Sequence, residues 1–340
     1  MENCSDNYTN SIPNVAQNIE DLGGWVSVGY IGVVTSSLLL CLYLYNVCIY
    51  IMENPSWARR HQAWITSLPM AISFLSLASF FVPRAAVTCD AVKFTYMLFI
   101  VVQFVETTFV VCGGEKVLLD DLIRQNAQWY WLTLPFRIVQ FFPFIITKNL
   151  LRLIVGLIYQ AFVSQLLLTI LMAVLEHAEV LQRDATNVAF GTILGLNIFT
   201  LTVGLFFFNV LIVGLSSHCD CSWPKCRCSK RPSSLELKWP KFMEKYYALL
   251  CFIGFQKAHS PLISIFTFTN YESPILTWNT LDAMASMLEA FIFGILFFCF
   301  FKDVVDDPNT HTNDSAANVV EEPLVTQRPA INELVHETVF

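Results

Sequence analysis

Long apolar runs constrain this chain most. Gly24–Ile51, Ala63–Val82, Val92–Cys112, Leu151–Leu175, Asn187–Leu215, Tyr246–Phe268 and Leu276–Phe301 each reach the length needed to cross ~30 Å of hydrocarbon as a helix. Five do so cleanly and two carry polar interruptions. The remainder cannot supply a charged skin. Of 340 residues, 55% are hydrophobic and only 14% charged, with a mean hydropathy of +0.54. The expected fold is all-α, a polytopic membrane protein of seven transmembrane helices.

Orientation follows from Lys and Arg, which favour short cytoplasmic loops. With the N-terminus outside, the inside segments are 52–62, 113–150, 216–245 and the tail, and the C-terminus is cytoplasmic. Together with Arg152 they hold 16 of the 20 Lys and Arg residues. Arg84, Lys93 and Arg183 fall outside, and Lys257 lies within a span. The sequons at Asn3 and Asn7 suit glycosylation of an exposed segment 1–23. That segment has no basic stretch followed by an apolar core, so the first span is expected to act as its own insertion signal. WYWLTLPFRIVQFFPFIIT (129–147) is apolar enough to rival a span but contains Pro135, Arg137 and Pro143. Its aromatic cluster suits the headgroup zone, and the expectation is an interfacial or re-entrant element.

The net charge of −7 belongs to the tail, where residues 303–340 carry eight acidic residues against one Arg. Segment 302–340 is expected to be a disordered acidic cytoplasmic tail. Its last residues, among them Thr338 and Phe340, fit a C-terminal PDZ ligand, in which the carboxylate is captured and a strand is added to a sheet edge. Six of the eleven cysteines (41, 48, 89, 112, 251, 299) lie in or beside spans as small apolar residues. Cys4 and Cys89 would both be extracellular. Cys219, Cys221, Cys226 and Cys228 form C-x-C-x4-C-x-C in a basic loop directly after the fifth span. Structural zinc favours C-x2-C pairs. A basic juxtamembrane position instead favours S-acylation, with plain reduced thiols as the alternative.

Ionisable residues within spans cost ~3 kcal/mol at a helix centre and therefore face a partner or a hydrated space. Gln103, Glu106 and Thr107 form one stripe at i, i+3 and i+4, and Gln256, His259 and Ser260 form another. Lys257 stands beside the second stripe, and Asp282, Ser286 and Glu289 recur at i, i+4 and i+7. Lys257 and Glu289 lie near mid-span, where an ion pair would offset the burial penalty. Pro261 withholds a backbone hydrogen bond and frees the carbonyl near Lys257. Two readings stay open: interhelical glue, or the polar wall of a substrate path formed by Glu106, Gln256, Lys257, His259, Pro261 and Glu289.

Several local patterns carry a resemblance. ARRHQAWITSLPMAISFLSLASFFVPRA (58–85), FVETTFVVCGGEKVLLDDL (104–122), FQKAHSPLISIF (255–266) and LEAFIFGILFFCFF (288–301) are similar to segments of the organic solute transporter subunit α family. The resemblance spans Ser56 to Phe301. It implies a seven-span plasma-membrane subunit that moves bile acids, steroid conjugates and similar amphipathic organic anions down their gradient, with a single-span β partner. Matching positions are Glu106, Gly113, Gly114, Gln256, Pro261 and Glu289. This chain departs from the pattern in placing its cysteines after the fifth span, and in Lys257.

The expected function is thus facilitated diffusion of organic solutes, with Lys257, Gln256 and His259 meeting a sulfate or carboxylate and apolar side chains packing a steroid-like body. The expected partners are the bilayer, the solute, a β subunit, a PDZ protein, and further subunits in a homo- or hetero-oligomer. A seven-helix receptor lacks support: no Asp/Glu-Arg-Tyr ends the third span and no Asn-Pro-x-x-Tyr marks the seventh. A trafficking or membrane-organising role is the other alternative. No enzyme is expected, since the six His are scattered and neither a phosphate loop nor a nucleophile elbow occurs. No cofactor, metal or nucleic-acid partner is expected. The expected location is the plasma membrane, with passage through the endoplasmic reticulum.

Overall fold

The computed structural model describes residues 23–52, 57–112, 114–124, 128–133, 140–177, 188–220, 234–270 and 274–301. Asn3, Asn7, Gly113, Cys221, Cys226, Cys228, Thr338 and Phe340 lie outside the described residues, as do the side chains of Cys219 and Pro261.

The described chain is almost entirely helical. It forms α1 (Val26–Met52), α2 (Trp57–Thr66), α3 (Leu68–Phe81), α4 (Ala86–Val111) and α5 (Glu115–Arg124), then strands β1 (Gln128–Thr133) and β2 (Gln140–Ile145). Four long helices complete it: α6 (Lys148–His177), α7 (Val188–Asp220), α8 (Ser234–Asn270) and α9 (Pro274–Phe301). Among the described residues six helical segments are long and apolar enough to cross a membrane: Val26–Cys48, Arg60–Phe81, Ala86–Val110, Lys148–Glu176, Gly191–Leu215 and Asn279–Phe301. The protein is therefore a multi-pass helical membrane protein. The expected sixth span, Tyr246–Phe268, falls within α8, whose side chains beyond Ile263 lie outside the described residues; it is not one of the six.

The second of these segments is broken. Pro69 occupies the first turn of α3, where its missing N–H is tolerated. Just before it the Ser67 N–H tightens onto Trp64 O at 3.1 Å, and the Ser67 hydroxyl meets Trp64 O and the Tyr96 hydroxyl of α4. The break is thus tied to the neighbouring helix rather than left open.

Helix α4 is the hub, packing against α2, α3, α6 and α7. On one side α1, α3, α8 and α9 gather, with α9 contacting the other three; on the other α6 pairs with α7. Rings fill the centre: Phe104 meets Phe208 edge-on at 5.6 Å, Phe208 meets Tyr246 at 5.4 Å, and Phe252 meets Phe297 at 5.9 Å. Small residues set the closest helix approaches, as helices in lipid require. A Cβ on Gly294 would lie 2.2 Å from Leu39 of α1, and one on Gly32 would lie 2.7 Å from Met287 of α9. The outer surface is apolar, with Ile31, Leu167, Phe199 and Leu288 all more than 60% exposed. Such faces are stable against hydrocarbon rather than water.

The segment expected to be interfacial or re-entrant is an antiparallel β-hairpin, pairing Trp129 with Phe144, Tyr130 with Pro143 and Thr133 with Gln140. Alternation explains the outcome. Trp129 is fully buried against Gly214 of α7, while Trp131 stacks on Phe144 at 4.4 Å. The two-strand ladder also accommodates Pro143 beside Phe142, whose φ of 56° lies in the left-handed region.

Candidate intramembrane polar site

Two helical stripes meet at the α8–α9 seam. On α8, Gln256 and His259 share a face one turn apart; on α9, Asp282, Ser286 and Glu289 do the same. His259 is the junction. Its Nδ1 lies 3.0 Å from Glu289 Oε2 and 3.1 Å from the carbonyl of Phe255. Its Nε2 lies 3.2 Å from Ser286 Oγ and 3.5 Å from Asp282 Oδ1. Gln256, buried, donates to the Ser286 carbonyl at 3.3 Å. The His259, Asp282 and Glu289 side chains are only 9–18% exposed, so their charges are poorly screened.

Lys257 turns away from this seam. One residue along a helix is ~100° of rotation, which aims it at α4. There its ammonium sits over the Phe94 ring, buried and with no hydrogen-bond partner among the described residues. The carboxylates of Asp90 and Asp282 and the ammonium of Lys93 act on it electrostatically. Lys93 itself is buried and bonded to Asp90 at 3.1 Å. All these groups lie toward the end of the bundle where α4 and α9 begin and α8 finishes.

The structure therefore pairs Glu289 with His259 and not with Lys257. Glu106 belongs to another contact set: it accepts a hydrogen bond from Tyr159 of α6. Gln103, from the same stripe, meets His61 Nδ1 of α2 at 2.7 Å, and Thr107 bonds back to the Gln103 carbonyl. The stripe on α4 thus fans out to two neighbours. Gly114 takes a φ of +105°, the turn from α4 into α5.

Four polar contacts were not anticipated. Asp90 and Lys93 stand at i, i+3 with opposite charge, a pattern readable at the start of α4. Glu176, at the end of α6, accepts from the Thr88 N–H at 3.2 Å and from its hydroxyl. Deeper, Thr95 meets Thr169 at 2.6 Å, and Gln165 of α6 donates to Asn197 of α7. Single uncharged polar residues in apolar runs gave no signal of their partners.

Beside the polar seam an apolar groove of about 450 Å³ opens on the outer face between α1 and α9 and reaches Ile263 of α8, one turn beyond His259. Val28, Ile31, Leu281, Met284 and Leu288 line it. Ionisable groups thus lie buried in the bundle next to an apolar groove.

An apolar bundle with ionisable groups inside it defines a polytopic membrane protein with a candidate functional site in its interior. Residues 25–305 match the family described as organic solute transporter Ostalpha, and the chain belongs to that family of membrane solute transporters. It is 26% identical over 125 residues to organic solute transporter alpha-like protein 1 of Caenorhabditis elegans. That alignment covers 36% of this chain and 33% of the worm protein, so the chain spans about a third of the length of the curated relative it matches. No solved structure matches the chain.

Proposed function

We propose that the chain is a seven-span, N-out, C-in subunit that carries amphipathic organic anions of the bile-acid or steroid-conjugate kind down their gradient. In this reading α8 is the sixth span, and a single-span β partner accompanies the chain to the plasma membrane through the endoplasmic reticulum. Acylation of Cys219, Cys221, Cys226 or Cys228, glycosylation at Asn3 and Asn7, a PDZ contact at Thr338 and Phe340, and assembly into an oligomer belong to the same proposal.

One observation carries it: the Lys257 side-chain nitrogen is buried inside the helical bundle without a hydrogen-bond partner among the described residues. A buried ammonium left this way is costly, and a sulfonate or carboxylate would satisfy it. Gln256 and His259 extend the polar side of the path, Pro261 and the carboxylates Glu106 and Glu289 form its wall, and the α1–α9 groove receives the apolar body. Family membership supports the same reading.

The test is radiolabelled taurocholate uptake into vesicles holding the full chain, with and without a single-span partner. Saturable uptake is expected. Lys257→Ala should lower apparent affinity by about tenfold or more, the equivalent of one charge-assisted hydrogen bond, at matched surface levels. Unchanged uptake in that variant would remove Lys257 from the path. Absence of flux together with altered localisation of other membrane proteins would favour a trafficking role.

A further inference from the structure

We infer that two copies of the chain pair along the outward face of α6, with Gln160 of each copy bonded to Gln160 of the other across a two-fold axis. The inference gives a face to the oligomer proposed above. It rests on α6 spanning the membrane, not on what the chain carries.

Gln160 is an exception on an apolar surface. It lies two residues from the middle of the span Lys148–Glu176, about 3 Å along the helix axis, and it is exposed. Ser37 and Thr202, exposed on α1 and α7, satisfy themselves locally. Their hydroxyls donate to the carbonyls of Val33 at 2.8 Å and Ile198 at 2.7 Å. A primary amide asks for more, with two N–H donors and a carbonyl that accepts twice. Gln160 Nε2 reaches Ser164 Oγ at 3.4 Å, and no other hydrogen bond to this side chain is present among the described residues. Hydrocarbon supplies neither donor nor acceptor, so the rest of the amide calls for a protein neighbour.

The surroundings of Gln160 suit a helix as that neighbour. Leu153, Gly156, Gln160, Val163, Leu167 and Ile170 follow one another at alternating spacings of three and four, and all six are exposed. Any helix face repeats this way, and it is the spacing on which two helices interlock side by side. Gly156 adds a more particular sign. Gly32, Gly204 and Gly294 each stand against another helix, whereas a Cβ on Gly156 would meet nothing within 4 Å. Glycine lowers helix propensity, and here no contact within the chain requires it. A helix from outside makes its closest approach at such a position.

The amide favours a second copy as the occupant. Two chains inserted with the same topology are related by an axis along the membrane normal, so residues of equal depth meet. α6 then lies parallel to α6 of the second copy, and each Gln160 faces the other. A primary amide is complementary to itself: the N–H of each donates to the carbonyl of the other, and both hydrogen bonds form together. A lone polar residue at the centre of an apolar seam fixes register and partner number in helix pairs. Arg152, at the end of this face, has Glu115 within 4.0 Å, which offsets its approach to a like charge.

Two measurements on the full chain in lipid vesicles decide the matter. The first follows energy transfer between donor-tagged and acceptor-tagged chains over a range of protein-to-lipid ratios. Saturable transfer is expected in wild type. Gln160→Leu should weaken association about fivefold or more, and Gln160→Asn should keep most of it. Gly156→Leu fills space that is open in the single chain, so it should weaken association without lowering the melting temperature. Transfer no greater than that of randomly mixed chains at every ratio overturns the proposal. Association unaltered in both Gln160→Leu and Gly156→Leu overturns it too.

The second keeps Gln160 and places a cysteine at Val163→Cys or Leu167→Cys, in a chain with its other cysteines replaced or, should that chain misfold, above the wild-type baseline. A mild oxidant should then yield a covalent dimer, whereas Ile198→Cys, exposed on α7, should yield none. Equal dimer from all three positions overturns the assignment of the face. Cross-linking to a co-expressed single-span protein, with no dimer of the chain, gives the face to that protein and overturns the second copy. Neither measurement reads taurocholate uptake, so failure here and failure of the carrier reading are seen separately.

Discussion

Replacing Gly214 by alanine tests how the β-hairpin is seated. The added Cβ would stand 2.4 Å from Trp129 Cδ2 and 2.7 Å from both Cε2 and Cε3. Carbon atoms pack at about 3.5–4.0 Å, so the ring or the hairpin must retreat by more than about 1 Å. An indole cannot bend, Trp129 is fully buried, and Phe144 of the partner strand meets it edge-on at 6.4 Å. The retreat therefore moves the strand. Overpacking of this kind costs about 1–3 kcal/mol, or about 2–6 °C in the melting temperature of the detergent-solubilised protein. Trp129→Leu alone should cost about 2 kcal/mol through the cavity it leaves. Combined with Gly214→Ala it should cost no more than alone, because the alanine occupies space the indole has vacated. Fluorescence-detected melting of all four proteins gives the cycle. Additive losses, or a Gly214→Ala protein that melts like wild type, would refute the claim that the indole rests on this glycine.

Tyr159→Phe should destabilise the protein by about 2 kcal/mol, because Glu106 loses its donor at membrane depth. The same change should be nearly silent in a Glu106→Leu background, read from the same melting cycle. Gln62→Leu should cost about 1 kcal/mol and raise hydrogen exchange at the end of α9, since the buried amide donates to the Phe301 carbonyl at 3.0 Å.

The spans were legible because hydrocarbon thickness leaves one solution for a long apolar run; Gly191–Leu215 lies within four residues of its expected bounds, while Ala86–Val110 begins six residues earlier than expected. The strand pairing within 128–145 was not legible, because an aromatic run does not by itself name its secondary structure, and the contact that seats it, Trp129 against Gly214, lies more than eighty residues further along the chain. Within the site, the stripes on α8 and α9 followed from helical spacing alone. Their partners did not. Lys257 and His259 lie two positions apart, and the rotation between them decides which faces Glu289. Helical spacing says which residues share a face, while only packing says what that face meets, as Glu106 and Tyr159 illustrate.

The polar seam also has a bearing on how such proteins diversify. Gln256, Lys257, His259, Asp282, Ser286 and Glu289 all sit on two consecutive helices joined by the short connection 271–273. A single recombination within the coding sequence would therefore transplant the whole ionisable set between homologues as a cassette. The recipient would need to supply the Asp90, Lys93 and Phe94 positions of α4 and a glycine at the position of Gly32 in α1.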